Sequence, residues 1–235
     1  MRTVAILPIK SFAAAKQRLS PRLGTGARQA LAQAMFSDVL SSLRKVERLE
    51  AIAVVSGDPT VDAAARGSGV TVIVDPAETG QSDATLLGIR HAEASGYERV
   101  LLVPGDTPLL DPAEIDMLLA RGAADGMELV IVPDRHGSGT NALMISPPAA
   151  MRPSFGPDSL NRHVTLAQEA GLKHSVEEVP SLSHDVDTPD DLDALTAALD
   201  GRHGVAPLTR GAIRQLHRVH ASRFAPSDAA QAIEV

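Results

Sequence analysis

The sequence predicts an α/β protein: a mostly parallel twisted sheet with helices on both faces, followed by a C-terminal helical extension. Three observations predict it. Over the first 133 residues, short apolar runs alternate with stretches of helical spacing, the pattern of a parallel sheet wrapped by helices. The runs are continuously apolar, as in strands covered on both faces, rather than alternating apolar with polar. The composition is 44% hydrophobic but only 2% aromatic, so the core is built from Ala, Val, Leu and Ile.

Taken in order, Thr3–Ile9 is the first apolar run, followed by a polar, basic loop from Lys10 to Thr25. Ala27–Val46 has helical spacing, with Leu31, Met35, Val39 and Leu43 on one face. Ala51–Val55 is a strand, Ser56-Gly57-Asp58-Pro59 a turn, Thr60–Arg66 a short helix and Val70–Val74 a strand. A loop over Asp75–Gly80 leads to a helix over Ser82–Ala94, and Val100–Val103 is the fourth strand. Asp111-Pro112 starts a helix that runs to about Arg121, with Asp as cap and Pro in the first turn. Leu129–Val132 is a strand. The alternation then changes: a glycine-containing loop over Asp134–Thr140, a strand over Asn141–Ile145 leaving it, a helix over Ser159–Ala170 and a strand over Ser175–Val179. Thr188-Pro189 opens a helix ending near Asp200. This second part reads as an insertion followed by a return to the sheet. We divide the chain into a domain over 1–200 and an extension over 201–235, where Arg202, Arg210, Arg214, Arg218 and Arg223 collect and Ile213, Leu216 and Val219 form an apolar stripe.

Composition removes several functions. A net charge of −7 gives no general polyanion-binding face, and one tyrosine with no tryptophan gives no stacking platform for single-stranded nucleic acid. The absence of cysteine excludes disulfides, thiolate zinc sites and cysteine nucleophiles. The chain enters a strand without a charged leader and has no apolar run near the ~20 residues a membrane span needs, so a cytoplasmic protein with no membrane partner is expected. A homodimer is compatible with the sequence.

The chemistry concentrates in loops. Pro104-Gly105-Asp106-Thr107-Pro108 places one acid at the carboxyl end of a central strand, on a turn stiffened by two prolines. Ligands bind at that end of an open α/β sheet, and a carboxylate there suits Mg²⁺ on a nucleotide phosphate, or simply a turn or helix cap. Pro8-Ile9-Lys10 through Lys16-Gln17-Arg18 puts three cations beyond the first strand, either for phosphates or for solvent. There is neither a Walker loop nor a G-x-G-x-x-G. Gly80-Gln81-Ser82 offers helix-terminal amides to a base or phosphate, or a plain start capped by Ser82. Asp134–Asn141 carries two glycines that permit close backbone approach, then Thr140 and Asn141. Phe155-Gly156-Pro157-Asp158-Ser159 delivers Ser159 to a helix N-terminus suited to a small anion, with His163 one turn further on in a structural role. In Asp185-Val186-Asp187-Thr188-Pro189, extended alternation sets Asp185 and Asp187 on one face; one of them can join Asp106 at a metal, or Asp187 or Thr188 can cap the helix. His217 and His220 are spaced for a metal, a weaker proposition than a solvated helix face.

The ordered set P-x-K…A-K-x-R-L, G-Q-S, P-x-D-x-P, D-x-x-G-x-G-T-N, F-G-x-x-S-x-x-x-H and D-x-D-T-P-x-D-L resembles the guanylyltransferases of coenzyme F420 biosynthesis, within the Rossmann-like nucleotide-diphospho-sugar transferase fold shared with the molybdenum cofactor guanylyltransferases. The resemblance covers about residues 3–199; residues 201–235 lie outside it. The G-T-N loop together with F-G-x-x-S is its specific part, since D-T-P-x-D-L is common to many nucleotidyltransferases. It implies transfer of GMP from GTP to phosphoenolpyruvate or 2-phospho-L-lactate, less commonly 3-phosphoglycerate, with release of pyrophosphate. By this similarity Asp106 and Asp187 hold Mg²⁺, while Lys16 and Arg18, helped by Lys10, meet the triphosphate. Pro8, Gly80, Ser82 and Pro104 complete the nucleotide site, and Thr140, Asn141, Gly156 and Ser159 form the acceptor site. Where the wider superfamily has L-A-G-G, this chain has Ser11-Phe12-Ala13. A related enzyme acting on a molybdopterin or sugar phosphate, and a non-catalytic nucleotide-binding module, are the competing readings.

Overall fold

The computed structural model describes residues 1–77 and 79–224, with side chains to residue 218. Seven strands form one sheet: β1 (Thr3–Pro8), β2 (Ala51–Ser56), β3 (Thr71–Val74), β4 (Arg99–Leu102), β5 (Leu129–Pro133), β6 (Thr140–Ile145) and β7 (His174–Val176). Their order across the sheet is β3-β2-β1-β4-β6-β5-β7. All pair in parallel except β6, which runs antiparallel between β4 and β5. The helices are α1 (Thr25–Leu43), α2 (Pro59–Gly67), α3 (Gln81–Ala94), α4 (Pro112–Ala124), α5 (Ser159–Glu169), α6 (Pro189–Leu199) and α7 (Pro207–Phe224).

Pleat alternation sorts the strand residues to two faces. Ala5, Leu7, Val54, Leu101, Val130 and Met144 face α1, α2 and α4. Val4, Ile6, Val55, Leu102, Ile131 and Leu143 face α3 and α5. On the second face α3 crosses β1 closely at Gly88, where a Cβ would lie 2.4 Å from the Ile6 side chain. A third apolar cluster lies outside the sheet. Leu31 and Met35 of α1 meet Leu192, Leu195 and Leu199 of α6, Ile213 of α7, and Leu19 and Val186 from loops. Helix α1 is therefore covered on both sides, which explains why its buried residues include Arg28 and Asp38 beside the expected aliphatic stripe. Asp38 accepts the Leu208 and Thr209 amides at 3.3 and 2.8 Å, capping the start of α7.

Boundaries differ from the sequence reading at a few places. Helix α3 starts at Gln81 with Gly80 as its cap residue, so Ser82 is not the cap. Strand β7 is shorter than read from sequence and ends at Val176, and the chain then turns into a 3-10 helix at Pro180. Helix α7 is longer than the three-residue stripe suggested. Of that stripe, Ile213 is buried and Leu216 half-buried, while the Val219 and His220 side chains lie outside the described residues. His217 is exposed.

Candidate active site

From β1 the chain moves outward to β2 and β3, then returns to the other side of β1 at β4. The crevice beyond the carboxyl ends of β1 and β4 is the topological switch point where open α/β sheets take ligands. The basic loop leaves β1 there, and Pro104-Gly105-Asp106 leaves β4. Because β6 runs antiparallel, its first residues, Thr140 and Asn141, lie at the same rim, next to a register shift between Val132 and Pro133. The segment 185–187 completes the rim.

The charged centre is built around Lys16. Its Nζ donates to Asp106 Oδ2 and, at 3.1 Å, to Asp187 Oδ1. Lys16 itself has a left-handed backbone, φ 56° and ψ 40°, an uncommon conformation for a residue with a Cβ. That conformation turns the side chain back under the loop, where 9% of it is exposed. Burial alone would lower the ammonium pKa, but the charges of Asp106 and Asp187 outweigh it and raise it above the ordinary lysine value. Asp185 lies beside them. Its pKa is pushed up to about 6, first by burial and then by the Asp106 charge. Val186, fully buried between them, anchors the segment while both Asp185 and Asp187 line the crevice. The centre thus gathers three acids and one lysine. Asp106 Oδ1 is buried without a hydrogen-bond partner. This donor set fits a hard divalent ion, which takes carboxylate oxygens and ordinarily completes its shell with water and substrate phosphate. No group of three or more His, Asp or Glu among the described residues encloses an ion by itself.

Two cavities meet at this centre. The first, about 260 Å³, is walled by Pro8, Ile9, Phe12, Met35, Phe36 and Ala84, with Lys10, Lys16, Gly80, Pro104 and Asp106 at its polar end. The second, about 470 Å³, is polar and is lined by Arg18, Thr140, Asn141, Gly156, Ser159, Asp185 and Asp187. Pro104, Gln81 and Asp106 belong to both. Of the residues expected at a nucleotide, Pro8, Lys10, Lys16, Gly80, Pro104 and Asp106 share the first cavity. Arg18 faces the second instead, with no hydrogen bond or ion pair to a described residue. Ser82 lines neither; its Oγ accepts the Phe155 amide at 3.0 Å, tying α3 to the loop before α5. Phe12, in the place of the superfamily glycine segment, is buried edge-on against Phe36 at 5.6 Å, and its amide donates to Asp58.

The four residues expected at the acceptor do come together around the second cavity. The loop before β6 closes on Asp134, whose carboxylate accepts the His136 and Ser138 amides at 3.1 and 3.0 Å. A Cβ at Gly139 would sit 2.5 Å from Asp134 Oδ2, so a side chain there would have to displace the carboxylate that holds the His136 and Ser138 amides. Asn141 spends its amide hydrogens on Leu182 O at 2.7 Å and Asp185 at 3.1 Å, holding the acid segment against the loop. Helix α5 starts after Asp158, which is left-handed and gives no side-chain cap. The fully buried His163 accepts the Ser154 amide at Nε2 and meets the Thr140 hydroxyl at Nδ1, both at 2.9 Å.

Sequence reasoning missed Asp75 and the pair Arg135–Asp191. Asp75 is buried at the end of β3 and faces the first cavity. Its signal was position, an acid directly after an apolar run. Asp191 accepts the Asp187 and Thr188 amides and the Thr188 hydroxyl, forms a capping box, and pairs with Arg135 of the loop before β6. The cap was legible; the partner, 56 residues away, was not.

Known proteins resemble the chain in sequence and in fold. A 49% identical relative, covering 94% of this chain and 99% of its own, is a phosphoenolpyruvate guanylyltransferase of Conexibacter woesei. A 2-phospho-L-lactate guanylyltransferase of Methanothermobacter thermautotrophicus is 35% identical over 86% of this chain and 88% of its own. Among solved structures, a protein of Desulfovibrio desulfuricans G20 assigned to the nucleotide-diphospho-sugar transferases superposes with a TM-score of 0.75 at 16% identity, covering 94% of this chain and 98% of its own, which bears on the fold alone. The family model described as "Guanylyl transferase CofC like" matches residues 3–217, past the motif resemblance and into α7. The chain belongs to this family of guanylyl transferases, and so to the nucleotidyltransferases.

Proposed function

We propose that this protein transfers GMP from GTP to a phosphorylated three-carbon acid in coenzyme F420 biosynthesis, with phosphoenolpyruvate the first candidate acceptor and 2-phospho-L-lactate the second. The observation that carries the proposal is the pair of cavities, one largely apolar and one polar, meeting at Asp106. A nucleoside fits the apolar walls of the first, and a compact polyanion fits the second. The 49% identical relative named for phosphoenolpyruvate supports the order of acceptors.

An oxygen of the acceptor phosphate attacks the α-phosphorus. A P–O–P bond forms, the bond from the α-phosphorus to the bridging oxygen breaks, and its electron pair leaves on pyrophosphate. With a second pKa of about 6, the acceptor phosphate is already mostly dianionic at neutral pH, so no general base is required. The protein's task is positioning and charge stabilisation. Lys16 and Lys10, at the polar end of the first cavity, bind the triphosphate. Arg18, facing the second, bridges toward the acceptor phosphate with its planar fork. Pro8, Gly80 and Pro104 shape the nucleoside side, and Ser82 acts through the loop it holds. Thr140, Asn141, Gly156 and Ser159 form the acceptor side. Asp106 and Asp187 would hold Mg²⁺, which when bound would neutralise phosphate charge. Asp75, buried at the end of β3 with its Oδ1 accepting the Ala77 amide at 3.3 Å, also lines the nucleoside side.

The test is mass analysis of products, with pyrophosphate release, from GTP and each acid, against CTP and a sugar phosphate. GMP-acid diphosphate from GTP and one of the acids is the expected result. Turnover only with a sugar phosphate or a pterin, or no metal-dependent pyrophosphate at all, overturns the proposal.

A further inference from the structure

We infer that His163 is a positioning residue that fixes the direction of the Thr140 hydroxyl, so that this hydroxyl presents its hydrogen to the anionic group of the acceptor. The inference rests on the reading of the second cavity as the acceptor side and specifies how that side works.

The argument is one of donors and acceptors. The Ser154 backbone amide can only donate, and it meets His163 Nε2 at 2.9 Å. Nε2 must therefore present a lone pair, and a neutral ring then carries its hydrogen on Nδ1. Nδ1 lies 2.9 Å from Thr140 Oγ1, so the ring donates and the hydroxyl accepts. The hydroxyl's own hydrogen cannot return along that line. Thr140 makes no other side-chain hydrogen bond to a described residue, and its remaining exposure is to the second cavity. An oxygen that already accepts from the protein and points its hydrogen into a polar cavity is a preset donor. Preset donors stabilise an anion without reorganising when it arrives.

The ring has little freedom to do otherwise. It packs edge-on against Phe155, 5.2 Å between centroids at 75°. Arg162 donates to Ser154 O at 3.0 Å and to Pro157 O, holding the same loop. Burial, and then the Arg162 charge, lower the imidazole pKa to about 4, so the ring is neutral under working conditions. Protonating it would require giving up the Ser154 bond. His163 thus joins β6 to the loop carrying Gly156, the two elements that frame the acceptor cavity.

Two measurements on the full chain test this. Long-range ¹H–¹⁵N correlation of the imidazoles, with the His163 signal assigned by its loss in His163→Gln, should show hydrogen on Nδ1 and none on Nε2 throughout the neutral range. Hydrogen on Nε2, or a charged ring, overturns the inference without reference to catalysis. The second measurement is steady-state kinetics. Thr140→Val should raise the acceptor KM about ten-fold, the worth of a hydrogen bond to a charged group, with the GTP KM unchanged. His163→Gln keeps an acceptor for Ser154 but loses the Nδ1 donor, and should raise the acceptor KM alone. His163→Asn, whose amide can replace the Nδ1 donor, should recover part of that loss. In the Thr140→Val background His163→Gln should add nothing. Independent, multiplying effects would show that His163 acts through packing alone and overturn the inference. An unchanged acceptor KM in Thr140→Val, with GMP transfer intact, overturns it at the other end and leaves the transferase reading standing. Absence of GMP transfer by the native chain would sink that reading instead, and the nitrogen signals would still decide the His163–Thr140 polarity.

Discussion

Asp106 presents its two carboxylate oxygens to different surroundings: Oδ2 takes the Lys16 ammonium, while Oδ1 is buried without a partner. Replacement by Asn keeps the shape and removes the charge. Lys16 retains its 3.1 Å bond to Asp187, so the fold should persist. Turnover in Asp106→Asn should fall by about 10²–10³ or more, the usual cost of removing a preorganised electrostatic group. Pyrophosphate release, read beside an unfolding midpoint within a few degrees of native, checks this. A second expectation at this scale concerns His163. Its folded pKa of about 4 lies below the unfolded value of 6.5. The unfolded chain binds the extra proton first as pH falls, so the stability is full above 6.5 and lost progressively toward 4. The loss should approach about 3 kcal/mol at the acid end. Denaturant titrations of native protein and His163→Gln across that window should converge as pH falls; parallel curves would contradict it. Asp106 was legible because its flanking prolines and preceding apolar run fix both its place and its strand end. The left-handed backbone of Lys16 was not, since a lysine in a basic loop carries no residue signal for that sign of φ. Ser82 shows the same gap: its sequence context suggests a cap, but its partner is the amide of Phe155, 73 residues away.

At the level of elements, strands covered on both faces announced themselves as continuous apolar runs, and each major helix began near its expected start. The antiparallel direction of β6 was not legible. It depends on which edge of β4 is open once β1 and β2 have paired, a property of the assembled sheet. That direction matters to the site, since it brings Thr140 and Asn141 to the rim where the parallel strands end. The loop before β6 was expected to allow close backbone approach at two glycines; at one of them, Gly139, the Asp134 carboxylate lies where a Cβ would go. Gly139→Ala should therefore open the loop, at about 1–3 kcal/mol. The expected signature is a raised acceptor KM with the GTP KM retained, together with a lower unfolding midpoint. An unaltered acceptor KM would show that the loop does not shape that cavity.

For the molecule as a whole, the main surprise is α1, which has the sheet on one side and α6 with α7 on the other. Helical periodicity showed one stripe, and the structure divides it: Val39 and Leu43 face the sheet, while Leu31 and Met35 face α6 and α7. The second contact depends on chain more than 150 residues further on, including the Asp38 cap of α7, 170 residues away in sequence. Truncation after Asp200 should therefore behave as loss of core. Uncovering the equivalent of two large aliphatic side chains costs about 3 kcal/mol or more. At this chain length that is roughly a 6–12 °C fall in midpoint. A truncated protein that melts with the native one would mean that α7 is only loosely laid on the surface.

The lysine tethered among three acids has one more consequence. A cluster of like charges usually needs an ion from solution before the polypeptide will tolerate it; here the neutralising charge is attached to the backbone and folds in with it. Exhaustive chelation should therefore stop chemistry while leaving the melting curve where it was, so the protein can be stored stripped and restarted by adding salt of a divalent cation.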